Sequence, residues 1–465
     1  MKMTVIGCGY LGATHAACMA ELGHEVLGID VDAAKIEALA AGSVPFFEPG
    51  LDDVLRRNIA AGRLRFTGDF AEAARFGKVH FIGVGTPQQA NSDAADLTHL
   101  RTAVRELVGH LRGDHLIVGK STVPVGTCAE VAEEIAALSR DATIELAWNP
   151  EFLREGFAVD DTLRPDRIVV GTDPQTTAST AVGTLTEVYR PIIDDGTPFL
   201  TMDWATAELV KVSANAFLAT KISFINAISE ICEVAGGDVT ALADAIGHDA
   251  RIGRRFLNAG LGFGGGCLPK DIRAFAARAE ELGVGSALHL LREVDAVNMR
   301  RRAAVVAMAE RACDGSVLGR NIAVLGASFK PESDDVRDSP ALAVAAQLSL
   351  LGARVSVFDP KAAANAARVQ PSLRYAESAP DAACGADLVI VATEWAEFVH
   401  MAPAELSEVV SRRLIIDARR CLDGAAWTAA GWDYRMVGSA PQGTVAGVRA
   451  VPFNMANTSR IPLHP

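Results

Sequence analysis

The feature that most constrains the fold is a glycine pattern at the start of the chain. Lys2-Met3-Thr4-Val5-Ile6 is a short apolar run that ends in Gly7-Cys8-Gly9-Tyr10-Leu11-Gly12. Residues 13–22 then read as an Ala-rich helix stopped by Gly23, and Glu25-Val26-Leu27-Gly28-Ile29-Asp30 is a second strand ending in an acid. Strand, GxGxxG, helix, strand and acid within one βαβ unit make a dinucleotide-binding pattern. Gly7 permits the tight turn, Gly9 lets backbone approach a pyrophosphate, and Gly12 lets the helix pack on the strand. The helix N-terminus supplies N–H groups and a positive dipole for phosphate. Asp30 lies 18 residues past Gly12, where an acceptor for the ribose 2′-OH belongs. A carboxylate there repels a 2′-phosphate and favours NAD over NADP, with Lys35 close enough to temper the effect.

The pattern continues along the chain. Apolar strands are predicted at 78–84, 115–119, 143–147 and 167–171, with helical stretches between them. Such alternation predicts a parallel, doubly wound sheet. From Met202 to Gly236 there is no proline, and Trp204, Ala207, Lys211, Asn215, Leu218, Ile222, Ile225 and Ser229 follow an i, i+3/i+4 path: one long helix with a mixed face. A second helical stretch is predicted over 270–312. Strand patterns return at 320–326, 353–359, 387–392 and 413–417, with only Gly326 at the first turn. The fold class is therefore α/β, with two Rossmann-like doubly wound domains joined by a long central helix. The expected division is 1–200, 201–312, 313–440 and a C-terminal tail at 441–465.

Length and charge limit what such a chain does. With 465 residues it is long enough for two or three domains. With 57 acidic against 44 basic residues, the net charge of -13 argues against non-specific nucleic-acid binding. It leaves room for a small anion in a locally basic pocket. No apolar run reaches membrane-spanning length, and the N-terminal run is short and broken by glycines and His15, unlike a signal peptide. The eight cysteines form no CxxC pair and no Cys/His cluster with zinc spacing, so no metal site is expected. They read as reduced thiols in a cytoplasmic protein.

Several segments carry chemistry. Cys267 follows a glycine-rich run, Gly260 to Gly266, and precedes Leu268-Pro269-Lys270-Asp271. Glycines would let a substrate approach, while Lys270 and a helix starting after Pro269 would favour thiolate. Lys211 and Asn215, i and i+4 on the long helix, read by spacing alone as a snorkelling lysine and a surface amide. Their functional alternative is a cation and an amide donor aimed together at a developing oxyanion. Asn149-Pro150-Glu151-Phe152-Leu153-Arg154-Glu155 follows a strand end, where α/β sheets bind ligands, although spacing alone equally allows a solvated charge run. Thr122, in Ser121-Thr122-Val123-Pro124, contacts ligand or water, or simply caps the next helix. Arg251, Lys270, Lys330, Arg337 and Arg419 sit at loop ends, where a phosphate site is built or where side chains are merely solvated.

Taken together the ordered motifs VIGCGYLG, STVPVG, NPEFLREG, KVSANAFLATKISFIN, RIGRRFLNAGLGFGGGCLPKD, FKPESDDVRDSP and IDARRCLDG resemble those of the nucleotide-sugar 6-dehydrogenases, the UDP-glucose/GDP-mannose dehydrogenase family, to about residue 438. Arg251-Ile252-Gly253 resembles the UDP-glucose branch more than the GDP-mannose branch. The resemblance implies two-step, NAD-dependent oxidation of UDP-glucose, with water, to UDP-glucuronate. It also implies a UDP-binding C-terminal domain and a homodimer or higher homo-oligomer built on the long helix. Oxidation of GDP-mannose or a UDP-N-acetylhexosamine by the same mechanism remains open, as does a single-hydride, hydroxyacid-type dehydrogenase. By resemblance Cys267 is the nucleophile, Lys211 and Asn215 the oxyanion and proton-handling pair, and Glu151, Thr122 and Asp271 serve hydrolysis. Gly7, Gly9, Tyr10, Leu11, Gly12, Asp30, Lys35, Thr86, Thr122, Glu155, Lys270 and Arg337 are implied to bind NAD. Glu151, Phe152, Leu153, Arg154, Lys211, Asn215, Phe256, Leu257, Gly264, Lys330 and Arg419 are implied to border the sugar nucleotide, with Arg251 reaching the partner subunit's site. The sequence departs from the family pattern at Trp148, Val212, Gly266 and Leu268, which bears on fine substrate preference.

Overall fold

In the computed structural model, which describes residues 1–176 and 179–439, each apolar run of the opening pattern is a strand of one sheet. Eight strands, β1 (Lys2–Ile6), β2 (Glu25–Ile29), β3 (Leu64–Thr67), β4 (Val79–Ile82), β5 (Gly113–Gly119), β6 (Ala142–Trp148), β7 (Ile168–Thr172) and β8 (Phe199–Asp203), lie in the order β3-β2-β1-β4-β5-β6-β7-β8. The strand order reverses between β1 and β4, so a crevice opens at their carboxyl ends, where such sheets bind ligands. Apolar side chains cover both faces, for example Val5, Val26 and Phe81 on one and Ile6, Leu27 and Ile82 on the other.

The sheet is not uniformly parallel as expected: β6 pairs antiparallel with β7 through Trp148 and Gly171. After β6 the chain turns back through a loop at 149–157 and a short helix, Ala158–Leu163, instead of crossing over the sheet. That reversal leaves the 149–156 loop at the carboxyl ends of the parallel strands, facing the rest of the molecule.

The central helix spans Trp204–Ala235. The Asp203 carboxylate caps its start by accepting from the Thr206 N–H, and Gly236, at φ 80°, ends it in the left-handed region that suits glycine. Lys211, Asn215, Ser229 and Cys232 lie on its buried face. The continuous helix expected over 270–312 is two helices, Leu268–Glu281 and His289–Ala312, broken where Gly283 adopts φ 75°.

A second sheet follows: β9 (Asn321–Leu325), β10 (Arg354–Phe358), β11 (Arg374–Tyr375), β12 (Leu388–Val391), β13 (Leu414–Asp417) and β14 (Asp433–Met436). Its order, β11-β10-β9-β12-β13-β14, repeats that of the first six strands of the N-terminal sheet. The tail expected at 441–465 lies outside the described residues. Among the described residues no helix is long and apolar enough to cross a membrane.

Candidate active site

The glycine-rich run before Cys267 is glycine-rich because protein, rather than ligand, presses against it. A Cβ on Gly264 would lie 2.3 Å from the Asp338 carbonyl oxygen, and one on Gly266 would lie 2.2 Å from the Arg337 guanidinium. This corrects the expectation that the glycines open space for substrate. Buried Asn298, on the helix His289–Ala312, fixes the run by accepting from the Phe263 N–H at 2.7 Å and donating to the Phe263 carbonyl at 2.9 Å. The Asn226 amide oxygen accepts from the Gly260 N–H at 2.9 Å. The loop is thereby held between the central helix and the second sheet, and Cys267 is delivered as the N-cap of Leu268–Glu281.

Cys267 opens on a cleft of about 930 Å³ between the two sheets, also lined by Glu151, Lys211, Asn215, Phe263, Lys330 and Arg419. Lys211, buried, donates from Nζ to Glu151 Oε1 at 3.0 Å. Asn215 Nδ2 donates to Asp271 Oδ2 at 2.7 Å, and Lys270 Nζ to Asp271 Oδ1 at 2.5 Å. Burial alone would lower the Lys211 pKa, but the Glu151 carboxylate, with Cys267 and Asp271, outweighs it and the ammonium is favoured. The thiol goes the other way. Although Cys267 is accessible from the cleft, it lies deep in the protein, and burial pushes it up to about 12, with Asp271 and Glu151 adding to the effect against Lys211 and Lys270. The expected pre-formed thiolate is thus corrected: two carboxylates and desolvation outweigh two lysines. One N–H of Asn215 and two of Lys211 remain for a ligand oxygen.

At the first turn the residues fit a dinucleotide. A Cβ on Gly12 would sit 1.8 Å from the Gly7 carbonyl oxygen, so the helix packs onto the turn, whereas nothing lies within 4 Å of a Cβ on Gly9. The helix Tyr10–Glu21 begins immediately after. Asp30 Oδ2 accepts from the Cys8 N–H at 2.9 Å and from Lys35 Nζ at 2.9 Å, and Oδ1 accepts from the Asp32 N–H at 3.0 Å. Oδ1 keeps a lone pair for a ribose hydroxyl, and Lys35 partly offsets the charge. Thr86 and Thr122 meet in a small pocket beside Lys270 and Asp271, with the Thr86 hydroxyl donating to the Thr122 carbonyl at 2.8 Å.

Comparison with known proteins decides the family. The chain matches the NAD-binding domain of the UDP-glucose/GDP-mannose dehydrogenase family over residues 1–193, its central domain over 205–300 and its UDP-binding domain over 323–424. The chain belongs to the UDP-glucose/GDP-mannose dehydrogenase family. It is 42% identical to a UDP-glucose 6-dehydrogenase of Rhizobium meliloti over 438 residues, which is 94% of this chain and 99% of that relative. It is 41% identical to one of Bacillus subtilis over 440 residues, 94% and 98% of the two chains. Its fold matches the solved UDP-glucose dehydrogenase of the archaeon Pyrobaculum islandicum with a TM-score of 0.85 at 37% identity, covering 94% of this chain and 97% of that one.

Not every residue flagged by resemblance to the family faces the cleft. Leu257 packs instead with Ile225, Val239 and Ala243: the chain turns at Phe256 (φ 67°), which keeps its ring at the cleft and sends the next side chain into the core. Arg255 and Asn258 line the cleft in its place. Arg251 is outside its own chain's cleft, with its side chain 89% exposed and paired with Asp249. Phe152, Leu153, Arg154, Glu155, Gly264 and Lys330 line the cleft. The Arg154 guanidinium is nonetheless held by Asp161, and Arg337 by Asp335 and Glu155. Arg419 ties the glycine run to the loops of the second sheet, donating to the carbonyls of Gly262, Ala392 and Phe329. Tyr10 turns its hydroxyl away from the turn to Glu48, whose carboxylate also accepts from the N–H groups of Gly156 and Ala158. Leu11 is half-buried in the first turn of that helix.

Sequence reasoning missed Arg167, Lys120 and Glu48. Arg167 lies 3.8 Å from the centroid of the Phe152 ring, which Lys211 also faces at 5.5 Å. Lys120 directly follows a buried strand, and a charged residue there was a signal that could have been read.

Proposed function

We propose that this protein oxidises C6 of UDP-glucose to the carboxylate of UDP-glucuronate through covalent intermediates on Cys267. One observation carries the proposal: the thiol, the Lys211–Glu151 pair and the Asn215–Asp271 pair converge on a single cleft between the NAD-type and UDP-type halves. Residues 1–200 would hold NAD, 201–312 carry the cysteine loop and a subunit contact, and 313–440 hold the UDP. Gly7, Gly9, Gly12, Asp30, Lys35, Thr86 and Thr122 would hold NAD, and two NAD molecules bound in turn would each accept one hydride per sugar.

The chain's own residues do the rest. Glu151, relayed by Lys211, takes the alcohol proton as C6 loses its first hydride. Cys267 Sγ then adds to the aldehyde carbon, and its proton passes to the carbonyl oxygen. The sugar is thereby retained as a thiohemiacetal. Glu151, its first proton released to solvent, takes the hydroxyl proton through Lys211 as C6 loses a second hydride, which gives a thioester. Throughout, Lys211 and the unused Asn215 N–H stabilise oxygen charge. Water, held beside the Glu151 and Asp271 carboxylates, adds to the thioester carbon and gives one proton to Asp271, which passes it on to the leaving Sγ. The C6–S bond breaks and Sγ regains a proton, which regenerates the enzyme. A panel of UDP-glucose, GDP-mannose and UDP-N-acetylhexosamines with NAD tests the substrate. UDP-glucose is expected to have the largest kcat/KM, and preference for another sugar would overturn that part.

We also infer a homodimer. Phe217, Phe224 and Ile231, spaced by seven on the central helix, are 68%, 50% and 61% exposed, and such an apolar stripe fits a second copy. Phe217 lies at the cleft edge, so a partner there would border the site. Arg251, free of its own cleft, would reach the partner's sugar nucleotide. Mixing Cys267→Ser and Arg251→Ala subunits restores part of the activity if Arg251 acts across the interface, and none if it serves its own chain. The eight free thiols fit a cytoplasmic setting.

A further inference from the structure

The loop that carries Glu151 is anchored from below by a buried cation. Asn149 leaves β6 with its N–H donating to the Gly119 carbonyl at 2.7 Å and Nδ2 donating to the Val169 carbonyl at 2.8 Å. Its amide oxygen accepts from Lys120 Nζ at 2.9 Å and from the Tyr189 hydroxyl at 2.6 Å. Lys120 Nζ lies a further 3.4 Å from the Asn149 carbonyl oxygen and 3.5 Å from the Tyr189 oxygen. The residue is only 7% exposed, and no carboxylate among the described residues lies within ion-pair distance of its Nζ. The groups facing it are His15 from the first helix, Tyr189, Glu151 from the loop and Lys211 from the central helix. His15 is fully buried, and its Nε2 has no partner. Burial, with Lys120 and His24 adding, drives its pKa well below the usual value, so it contributes no charge at neutral pH.

Placing an ammonium here is costly, since a buried charge without a counter-ion gives up its hydration. A methionine would fill the same space without that cost. The charge therefore has a role beyond packing.

We propose that Lys120 is a positioning residue for Glu151: it clamps Asn149 at the root of the loop and, through its charge, favours a carboxylate at Glu151 beside Lys211. Burial pushes Lys120 down to about 8, with Glu151 raising it and Lys211 lowering it, so the cation is present at neutral pH. The inference rests on the cleft being the dehydrogenase site. Measuring wild-type turnover of UDP-glucose first separates failure of that reading from failure of this one.

The experiment is the pH profile of kcat for the full-length enzyme and three variants. Lys120→Met is expected to lower kcat roughly tenfold with both KM values within a few-fold. Its acidic limb should move to higher pH by about half a unit or more, because a cation that favours the carboxylate is gone. Tyr189→Phe removes a hydrogen bond but no charge and is expected to leave the limb in place. Asn149→Asp puts an anion against Lys120 and is expected to move the limb in the same direction as Lys120→Met. Should Lys120→Met fail to fold, Asn149→Asp carries the test. A limb that stays fixed in both charge variants, or a wild-type kcat in Lys120→Met, would show that Lys120 serves packing alone and overturn the proposal.

Discussion

In the N-terminal half the chain leaves β1 through Gly7 and enters a helix at Tyr10, whereas in the C-terminal half it leaves β9 through Gly326 and meets no helix until Pro340. The strand orders of the two sheets correspond over six strands, so the difference lies in the turn and not in the framework. The strand-end acids diverge in the same way. Asp30 keeps a lone pair, but Asp359 accepts from the N–H groups of Ala327, Ser328, Lys361 and Ala362, from the Ser328 hydroxyl and from the Trp395 indole. A saturated acid and a turn without a helix N-terminus cannot cradle a pyrophosphate or a ribose. The second half has the same architecture without that site. It presents cationic side chains to the cleft instead, Lys330 and Arg419, which suits a ligand bearing phosphates.

Gly9→Val breaks the comparison most sharply. The space around Gly9 is open and its φ of -72° suits any residue, so the variant is expected to melt like the wild type. Its NAD affinity should fall roughly a hundredfold or more, because a side chain would stand where the pyrophosphate approaches. Unchanged affinity in a calorimetric titration would remove the turn from the site.

The acid pair gives a smaller, crossed effect. Asp30→Ala is expected to weaken NAD about tenfold and to erase discrimination against NADP, with a smaller drop in Tm than Asp359→Ala because only the Cys8 and Asp32 N–H groups lose their acceptor. Asp359→Ala should leave NAD affinity unchanged. It strands several buried N–H groups at about 1–3 kcal/mol each, so Tm should drop by roughly 5 °C or more. Equal effects on binding from the two variants would mean the halves are not functionally distinct.

The smallest signal is kinetic and comes from the cleft between the halves. With the Cys267 thiol pushed up to about 12, the thiolate is a minor species at neutral pH. Its alkylation by iodoacetamide should rise about tenfold per pH unit from 7 to 9. A rate that is already flat at pH 7 would indicate a pre-formed thiolate.

Much of this was legible in the sequence because it is locally encoded. The glycine turn, the alternation of strands and helices and the long helix all follow from short-range periodicity. Edge strands such as β3 and β8 were not, being short and weakly apolar, and the antiparallel join of β6 and β7 depends on the path of a loop. Resemblance to the family pointed to Cys267, Lys211, Asn215, Glu151 and Asp271, and the fold brings them to one place. It could not reveal that carboxylates and burial hold the thiol protonated, or that Leu257 turns into the core, since both depend on tertiary packing. Glu48 escaped for the same reason, being an ordinary charged residue until its burial and partners are seen; Lys120, a charge at the end of a buried strand, was the one that could have been read.

The central claim is that one sugar is oxidised twice while bound through Cys267, and counting NADH formed per UDP-glucose consumed tests it most directly. The wild type is expected to give two NADH and UDP-glucuronate, and Cys267→Ala at most one, with no sustained formation of the acid. One NADH per sugar in the wild type, or two with wild-type turnover in Cys267→Ala, would contradict the account.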